Sequence, residues 1–275
     1  MTRRKMLWIV LLLLGAPAVL LLVGWIGLRV KPEEFPAYPE QTPPLDTVPL
    51  PDDLPEPVTR FYRTITGGDT VPVIESAVLT GPARLSLAGI TFNSRYRFTH
   101  EAGYNYRRYI EATLFGYPVM KVNEAYLDGH GRMELPFGTE EGMEIDQGAN
   151  LALWGEAVWF PTLWITDPRA RWEAVDANTA RLIVPFGAEE ETFTVTFDPE
   201  TGLLATMEAM RYKGAGSEKV GWLVEGGDWR EFHGLLIPTR GLVTWADEGT
   251  PWATFTLEDV AYNVDVSEYV RARGL

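Results

Sequence analysis

Glu156 is the carboxylate of this chain best placed to do chemistry. It is the one acidic residue in a run from Gln147 to Phe160 that otherwise carries Ala149, Leu151, Ala152, Leu153, Trp154, Ala157, Val158 and Trp159. A carboxylate so surrounded either resists ionisation for want of water or is paired with a cation such as arginine. The first state suits a general acid or a polar anchor for a ligand headgroup. The second is a buried ion pair that fixes a helix to its neighbours, and structural networks commonly use carboxylates in this way. Trp154, Trp159 and Trp164 would line a hydrophobic cavity if that helix covers an open sheet, and are ordinary core otherwise.

A second cluster interleaves cations with phenols: Arg95, Tyr96, Arg97, Tyr104, Tyr106, Arg107, Arg108 and Tyr109. On strands, Arg95 and Arg97 share one face, and Arg107 shares another with Tyr109. Such a patch could receive an anionic lipid headgroup, although solvated strand faces carry charge in the same way. His100, His130 and His233 show no metal-ligand spacing and accompany no G-x-S-x-G nucleophile, so no metal site is expected. Gly67-Gly68-Asp69 and Gly226-Gly227-Asp228 are turns, because neither opens a helix after a strand, and no cofactor is expected. The chain has no cysteine, which excludes disulfides, thiol chemistry and cysteine-ligated zinc.

The elements that must hold these residues are mostly strands. Phe193, Val195 and Phe197 alternate with Thr192, Thr194 and Thr196. Tyr96 and Phe98 alternate with Arg95, Arg97 and Thr99, and the same period returns at Val220, Trp222 and Val224 and at Phe255 and Leu257. Turn chemistry separates the runs at Asp128-Gly129-His130-Gly131, Asp176-Ala177-Asn178, Asp198-Pro199-Glu200-Thr201-Gly202 and Asp247-Glu248-Gly249. Such punctuation predicts a mainly β, α+β domain over 58–275: one large curved antiparallel sheet or open half-barrel of roughly nine to eleven strands. Helix is expected at Val58, Phe61, Tyr62 and Ile65, ended by Gly67-Gly68, and again at 147–160, where apolar residues all round mark a plug buried on most sides.

Two further segments precede this domain. Residues 32–57 hold nine prolines among acidic residues and predict an extended polyproline II linker, a stiff spacer. Residues 1–31 place Arg3, Arg4 and Lys5 before an uncharged run from Met6 to Leu28, closed by Arg29 and Lys31. As a helix that run spans about 35 Å, enough for a hydrocarbon core of roughly 30 Å, and predicts one transmembrane anchor rather than a cleaved signal. Trp8 and Trp25 flank it as interfacial rings do, and Pro17 is tolerable within it. Its flanking charges favour a cytoplasmic N-terminus with the domain extracytoplasmic. Residues 1–31 contribute five positive charges and no negative one, so the remainder carries −19 against −14 for the whole chain. That charge disfavours nucleic acid, and holds the domain off anionic lipid unless a local basic patch docks it.

The stretch Glu156-Ala-Val-Trp159-Phe-Pro161 is similar to an E-x-x-W-x-P signature of a bacterial family of unknown function. Gly234-Leu-Leu-Ile-Pro238-Thr-Arg-Gly-Leu-Val243-Thr-Trp245 resembles the same family, over roughly residues 58–265. That resemblance implies no activity. The architecture, with the run from Trp229 through His233-Gly234 to Pro238, resembles the lipoprotein carriers LolA and LolB, which implies a cup that holds acyl chains beneath plugging helices. The chain departs from those carriers in its anchor, since an anchored protein does not shuttle between membranes, and in its missing cysteine.

The function these features predict is a membrane-anchored extracytoplasmic domain that binds a hydrophobic or lipid-like ligand without catalysis. Trp154, Glu156, Trp159, Trp164, Arg95, Arg97 and Arg107 are its candidate ligand-binding residues. The alternatives are an envelope hydrolase using Glu156 as acid or base, and a protein-interaction or sensor domain with no pocket.

Overall fold

The computed structural model describes residues 3–272, with side chains from residue 15 onward. Helix α1 (Arg3–Gly27) contains Pro17. The first half of the expected anchor, to residue 14, lies outside the described side chains, and among the described residues no helix is long and apolar enough to cross a membrane. A small ribbon of β1 (Thr47–Pro49) and β2 (Thr70–Pro72) brackets α2 (Glu56–Thr66). Helix α2 buries Val58, Phe61, Tyr62 and Ile65 and ends at Gly67 with φ 69°, as its spacing predicts.

A first antiparallel meander follows: β3 (Ser76–Leu87), β4 (Ile90–Glu101), β5 (Asn105–Leu114), β6 (Tyr117–Leu127), β7 (His130–Leu135) and β8 (Gly138–Glu141). The chain then passes through α3 (Met143–Gly155), a 3-10 turn (Glu156–Trp159) and the short α4 (Leu163–Thr166). A second meander comprises β9 (Arg171–Ala174), β10 (Thr179–Phe186), β11 (Glu189–Phe197), β12 (Leu204–Tyr212), β13 (Lys219–Phe232), β14 (Leu235–Trp245) and β15 (Pro251–Thr256). It is followed by β16 (Asp259–Tyr262) and α5 (Ser267–Arg271). Where β15 pairs with β3 the two meanders join into one fourteen-stranded sheet with β8 and β9 at its edges, larger than expected and not closed into a barrel. The expected 147–160 helix is also shorter, because α3 gives way to the 3-10 turn at Glu156.

Curvature follows from what α3 touches. It contacts β6 and β7 of one meander and β10 and β12 of the other. Gly131 on β7 donates its N–H to Asp146 at 2.6 Å, while Gln147 donates to the Met210 carbonyl on β12 at 2.9 Å. Strands so far apart in the sheet reach one helix only if the sheet curls around it. The helix is the plug that its all-round apolar sequence predicts, with Ala149, Leu151, Ala152, Leu153 and Trp154 buried. The seam is equally tight. An added Cβ on Gly81 would sit 1.9 Å from the Thr256 carbonyl oxygen, where β3 exchanges β15 for β16 as its partner.

The expected spacer at 32–57 does not stand clear of the domain: α2 begins at Glu56, and residues 33–38 are strapped to the sheet. Arg95 Nη1 donates to the Glu33 carbonyl at 2.7 Å, and Arg97 donates to the Pro36 carbonyl. The Phe35 ring lies 4.2 Å beneath the Arg95 guanidinium, and Tyr38 donates to the Asp265 carbonyl at 2.5 Å. A polyproline-like segment makes no internal hydrogen bonds, so its carbonyls are free to accept from the arginines of the outer sheet face.

Candidate functional site

Period two puts alternate residues of β4 and β5 on the face that holds α3. Phe98 pairs in register with Arg108, whose guanidinium lies 4.7 Å over the Phe98 ring. Arg108 is paired in turn with Glu124 on β6, at 2.7 Å between Nη1 and Oε2. From the opposite side the 3-10 turn delivers Glu156, whose Oε1 lies 2.6 Å from Arg108 Nε. Glu156 Oε2 stands 3.1 Å from His100 Nε2, close enough for an ion pair but not aligned as a hydrogen bond. Tyr106 donates its hydroxyl to Glu124 Oε1. All six side chains are buried. Burial works against the Arg108 charge, yet Glu156 and Glu124 on either side outweigh it and hold its pKa above the usual arginine value. Burial pushes the Tyr106 phenol well up, and the Glu124 charge pushes in the same direction.

Arg211, on β12, closes the far side of this cluster. It is buried and donates from Nε to the Gly148 carbonyl of α3 at 2.9 Å. Its guanidinium lies 4.6 Å over the Trp222 ring, and among the described residues no carboxylate forms a salt bridge with it. Burial lowers its pKa even against the pull of Glu124. Arg211 is thus a buried cation with no salt-bridge partner among the described residues, an arrangement that costs on the order of several kcal/mol unless something supplies the anion.

Between the two arginines lies a cavity lined by Glu156, Val158, Trp159, Trp222, Val224, Gly241, Val243, Trp252 and Phe255. Glycines make room for its indoles: a Cβ on Gly155 would meet the Trp222 ring at 2.8 Å, and one on Gly241 the Trp159 ring at 3.2 Å. Its free room is about 30 Å³, enough for a water molecule or two but not for an acyl chain. Trp159 Nε1 donates to the Pro238 carbonyl at 3.0 Å, whereas the buried Nε1 atoms of Trp222 and Trp252 have no hydrogen-bond partner.

The structure divides the residues singled out in the sequence. Glu156 and Trp159 meet at the cavity. Trp154 and Trp164 pack behind it as core, with Trp164 Nε1 donating to the Trp154 carbonyl at 3.0 Å. Arg95, Arg97 and Arg107 all lie on the outer face, because the register pairs Arg95 with Glu111, Arg97 with Tyr109 and Thr99 with Arg107. Arg107 donates to the Val270 carbonyl at 2.7 Å and to Asn123 at 2.9 Å. The patch expected to receive a headgroup is thus engaged by the strap and by α5. Among the described residues no three His, Asp or Glu side chains converge as a metal site.

Sequence reading missed His100, Arg108, Glu124, Arg211, Trp222 and Trp252 as site residues. For two of them a signal was present: the alternation Tyr96, Phe98 runs on to His100, and Tyr106 shares its face with Arg108. Arg211 sits in a strand whose partner helix lies far away in sequence, and nothing local marks it.

A family model described as a family of unknown function, DUF6544, matches residues 45–257. The match begins ahead of α2 and takes in the β1–β2 ribbon. No curated protein shows significant sequence similarity to the chain. Among solved structures, a LolA superfamily protein from Nitrosomonas europaea is similar at 10% identity and a TM-score of 0.46, covering 72% of this chain and 90% of that one. A putative outer membrane lipoprotein-sorting protein domain from Vibrio parahaemolyticus gives 10% and 0.41, with coverage of 78% and 92%. A DUF1329 family protein from Desulfovibrio piger gives 12% and 0.40, with coverage of 71% and 89%. At these values the likeness is one of general shape and says nothing of a ligand.

Proposed function

The chain belongs to DUF6544, a family of unknown function, and from that premise we propose that it binds a small hydrophobic or lipid-like ligand at the Glu156 cavity, without catalysis. The reading includes an extracytoplasmic sheet domain tethered by residues 1–31, on the strength of the apolar run and its flanking charges.

One observation carries it. Arg211 is buried beside an apolar wall with no carboxylate of its own, and the unpartnered indole donors of Trp222 and Trp252 belong to that same wall. Each unmet buried donor costs about 1–3 kcal/mol. An amphiphile with an anionic, acceptor-rich head answers all three groups at once, while its apolar body replaces contacts among Val224, Val243 and Phe255. The cavity holds only about 30 Å³ at rest, so entry of a chain requires the Glu156–Trp159 turn to move outward from the sheet. Each methylene then buried contributes about 0.8 kcal/mol. A hydrolytic role is less well supported, because Glu156 Oε1 is already paired with Arg108 and Oε2 faces the buried His100 ring.

Photo-crosslinking tests the reading. The full chain in phospholipid nanodiscs is irradiated with a diazirine-bearing palmitic acid, and the labelled peptides are mapped. Label at residues 222–224 and 252–255, competed by unlabelled palmitate and lost in Arg211→Gln, is the expected result. Label confined to residues 15–28, or insensitive to competition, overturns it.

A further inference from the structure

One end of the first meander gathers exposed apolar side chains in an otherwise acidic domain. The β3–β4 and β5–β6 connections are two-residue turns with positive φ at both positions: Ala88 49° and Gly89 79°, then Phe115 54° and Gly116 78°. In a meander these two tips fall on the same end of the sheet. Such type I′ turns favour Asn, Asp or Gly, and a bulky ring in the left-handed region is rare and costs about 1–2 kcal/mol. Phe115 is nonetheless there, 41% exposed, with Leu87, Ile90, Tyr117 and Val119 exposed around it, Tyr117 at 76%. Strain kept for an exposed aromatic at a loop tip points to something that the ring touches.

What lies beside the tips is the end of α1. Phe115 N–H donates to the Gly27 carbonyl at 2.8 Å, and Asn93 donates to the Val30 carbonyl at 3.3 Å. An open apolar groove is bounded by Leu20, Leu21 and Trp25 of the helix, by Leu28 just past its end, and by Ile90, Phe92 and Leu114 of the strands. From Leu20 to the end of the helix at Gly27 the rise is about 10 Å. The tips therefore lie alongside the last turns of the apolar helix rather than beyond them. Continuous with this groove, through Trp25, Leu28 and Ile90, runs a cleft that holds Arg29, Lys31 and Arg84 and no acidic residue. The Arg29 guanidinium stacks 3.8 Å over Trp25. The acidic turn Asp247-Glu248, on a neighbouring strand connection, is occupied by Lys213 at 2.8 and 2.7 Å.

We propose that this end of the sheet is a membrane-docking surface: the Ala88-Gly89 and Phe115-Gly116 tips enter the interfacial zone of the bilayer beside α1, and the Arg29–Lys31–Arg84 cleft seats an anionic phospholipid headgroup. Apolar tips beside an apolar helix, ringed by cations in a chain of net charge −14, match a lipid surface in both hydrophobicity and charge. The basic cleft overcomes locally the repulsion that the domain's overall charge would exert. The inference shares with the preceding reading only the insertion of α1, and the ligand cavity plays no part in it.

Because the chain has no cysteine, single cysteines report position cleanly. Full chains carrying Tyr117→Cys, Ile26→Cys or Thr201→Cys are labelled with the environment-sensitive dye NBD and placed in nanodiscs of phosphatidylcholine with increasing phosphatidylglycerol. Position 117 is expected to shift to the blue and to be quenched by nitroxide-labelled lipid, as position 26 is, while position 201 in the β11–β12 turn stays in water. Arg84→Gln is expected to raise the phosphatidylglycerol fraction for half-maximal quenching at 117 about fivefold. Quenching at 26 with none at 117 overturns the docking surface and leaves the anchor intact. Equal quenching at 117 whatever the lipid charge overturns the headgroup cleft. No quenching at either position overturns both the docking and the anchoring.

Discussion

Arg108 Nε and Glu156 Oε1 meet at 2.6 Å, and through that contact the inner face of the first meander holds the turn that closes the plug. Glu124 shares the same guanidinium at 2.7 Å, so one cation serves two buried carboxylates. Removing one partner of a buried pair leaves a charge without compensation. Glu156→Ala should therefore cost about 3–5 kcal/mol in urea unfolding followed by tryptophan fluorescence. In a double-mutant cycle, Arg108→Gln with Glu156→Gln should cost at least about 1 kcal/mol less than the two single changes added. Strict additivity would mean that the contact carries no coupling.

Trp252 offers a gentler probe of the cavity, since phenylalanine keeps an aromatic wall and deletes only the indole donor. Trp252→Phe should weaken binding of a fluorescent fatty acid about five- to tenfold, the worth of one hydrogen bond of about 1 kcal/mol, without lowering the unfolding midpoint. Unchanged affinity would remove Trp252 from the site.

The parity of β4 and β5 explains which parts of the molecule were legible. Tyr96 and Phe98 declare their strand because hydrophobic alternation is local, and α2 declares itself through Val58, Phe61, Tyr62 and Ile65 for the same reason. Which arginines face inward depends on register, and a shift of one residue exchanges Arg107 for Arg108. Alternation with Tyr96 and Phe98 sets the face of Arg95 and Arg97, but their engagement by the strap carbonyls and the Phe35 ring joins segments some sixty residues apart and leaves no mark in spacing. Arg211 and the cavity depend on a helix meeting strands of both meanders, a long-range event that leaves no trace in spacing. Turns such as Phe115-Gly116 escaped notice because Phe is not a turn former.

Gly81 permits the seam on which sheet continuity rests. A Cβ there would overlap the Thr256 carbonyl oxygen, a backbone atom that cannot swing aside. Gly81→Ala should cost about 3 kcal/mol and raise hydrogen exchange at Glu258, whose N–H donates to the Thr80 carbonyl at 3.0 Å. A loss below about 1 kcal/mol would show that β15 and β16 can part from β3 cheaply.

Acid should loosen the outer layer. Burial pushes Glu111 up, but hydrogen bonds from Tyr109 and Arg95 and the charges of Arg95 and Lys121 outweigh it and leave the carboxyl below its usual value. Glu101 is lowered likewise, with Arg271 and Asn105 overcoming its burial. A group depressed in the fold stabilises it fully above its unfolded pKa, about 4.3, and ceases to do so as pH falls through the lower folded value. Glu258, raised by burial and by Glu34, acts in the opposite sense. Unfolding free energy should therefore fall as pH drops below about 4.3, and Glu111→Gln should flatten that slope. A slope unchanged in the variant would assign the acid sensitivity to other carboxylates.

Phe115 sets stability against position. Its φ of 54° suits asparagine, which tolerates the left-handed region, far better than a bulky ring. If the ring is kept for lipid, Phe115→Asn should gain about 1 kcal/mol in denaturant unfolding of the full chain in detergent. The same change should weaken quenching at position 117 by nitroxide-labelled lipid. A ring kept for packing against Gly27, which its edge closely approaches, predicts the reverse: stability falls and the lipid contact of Tyr117 is untouched. The two measurements on one variant therefore separate a membrane contact from an internal one.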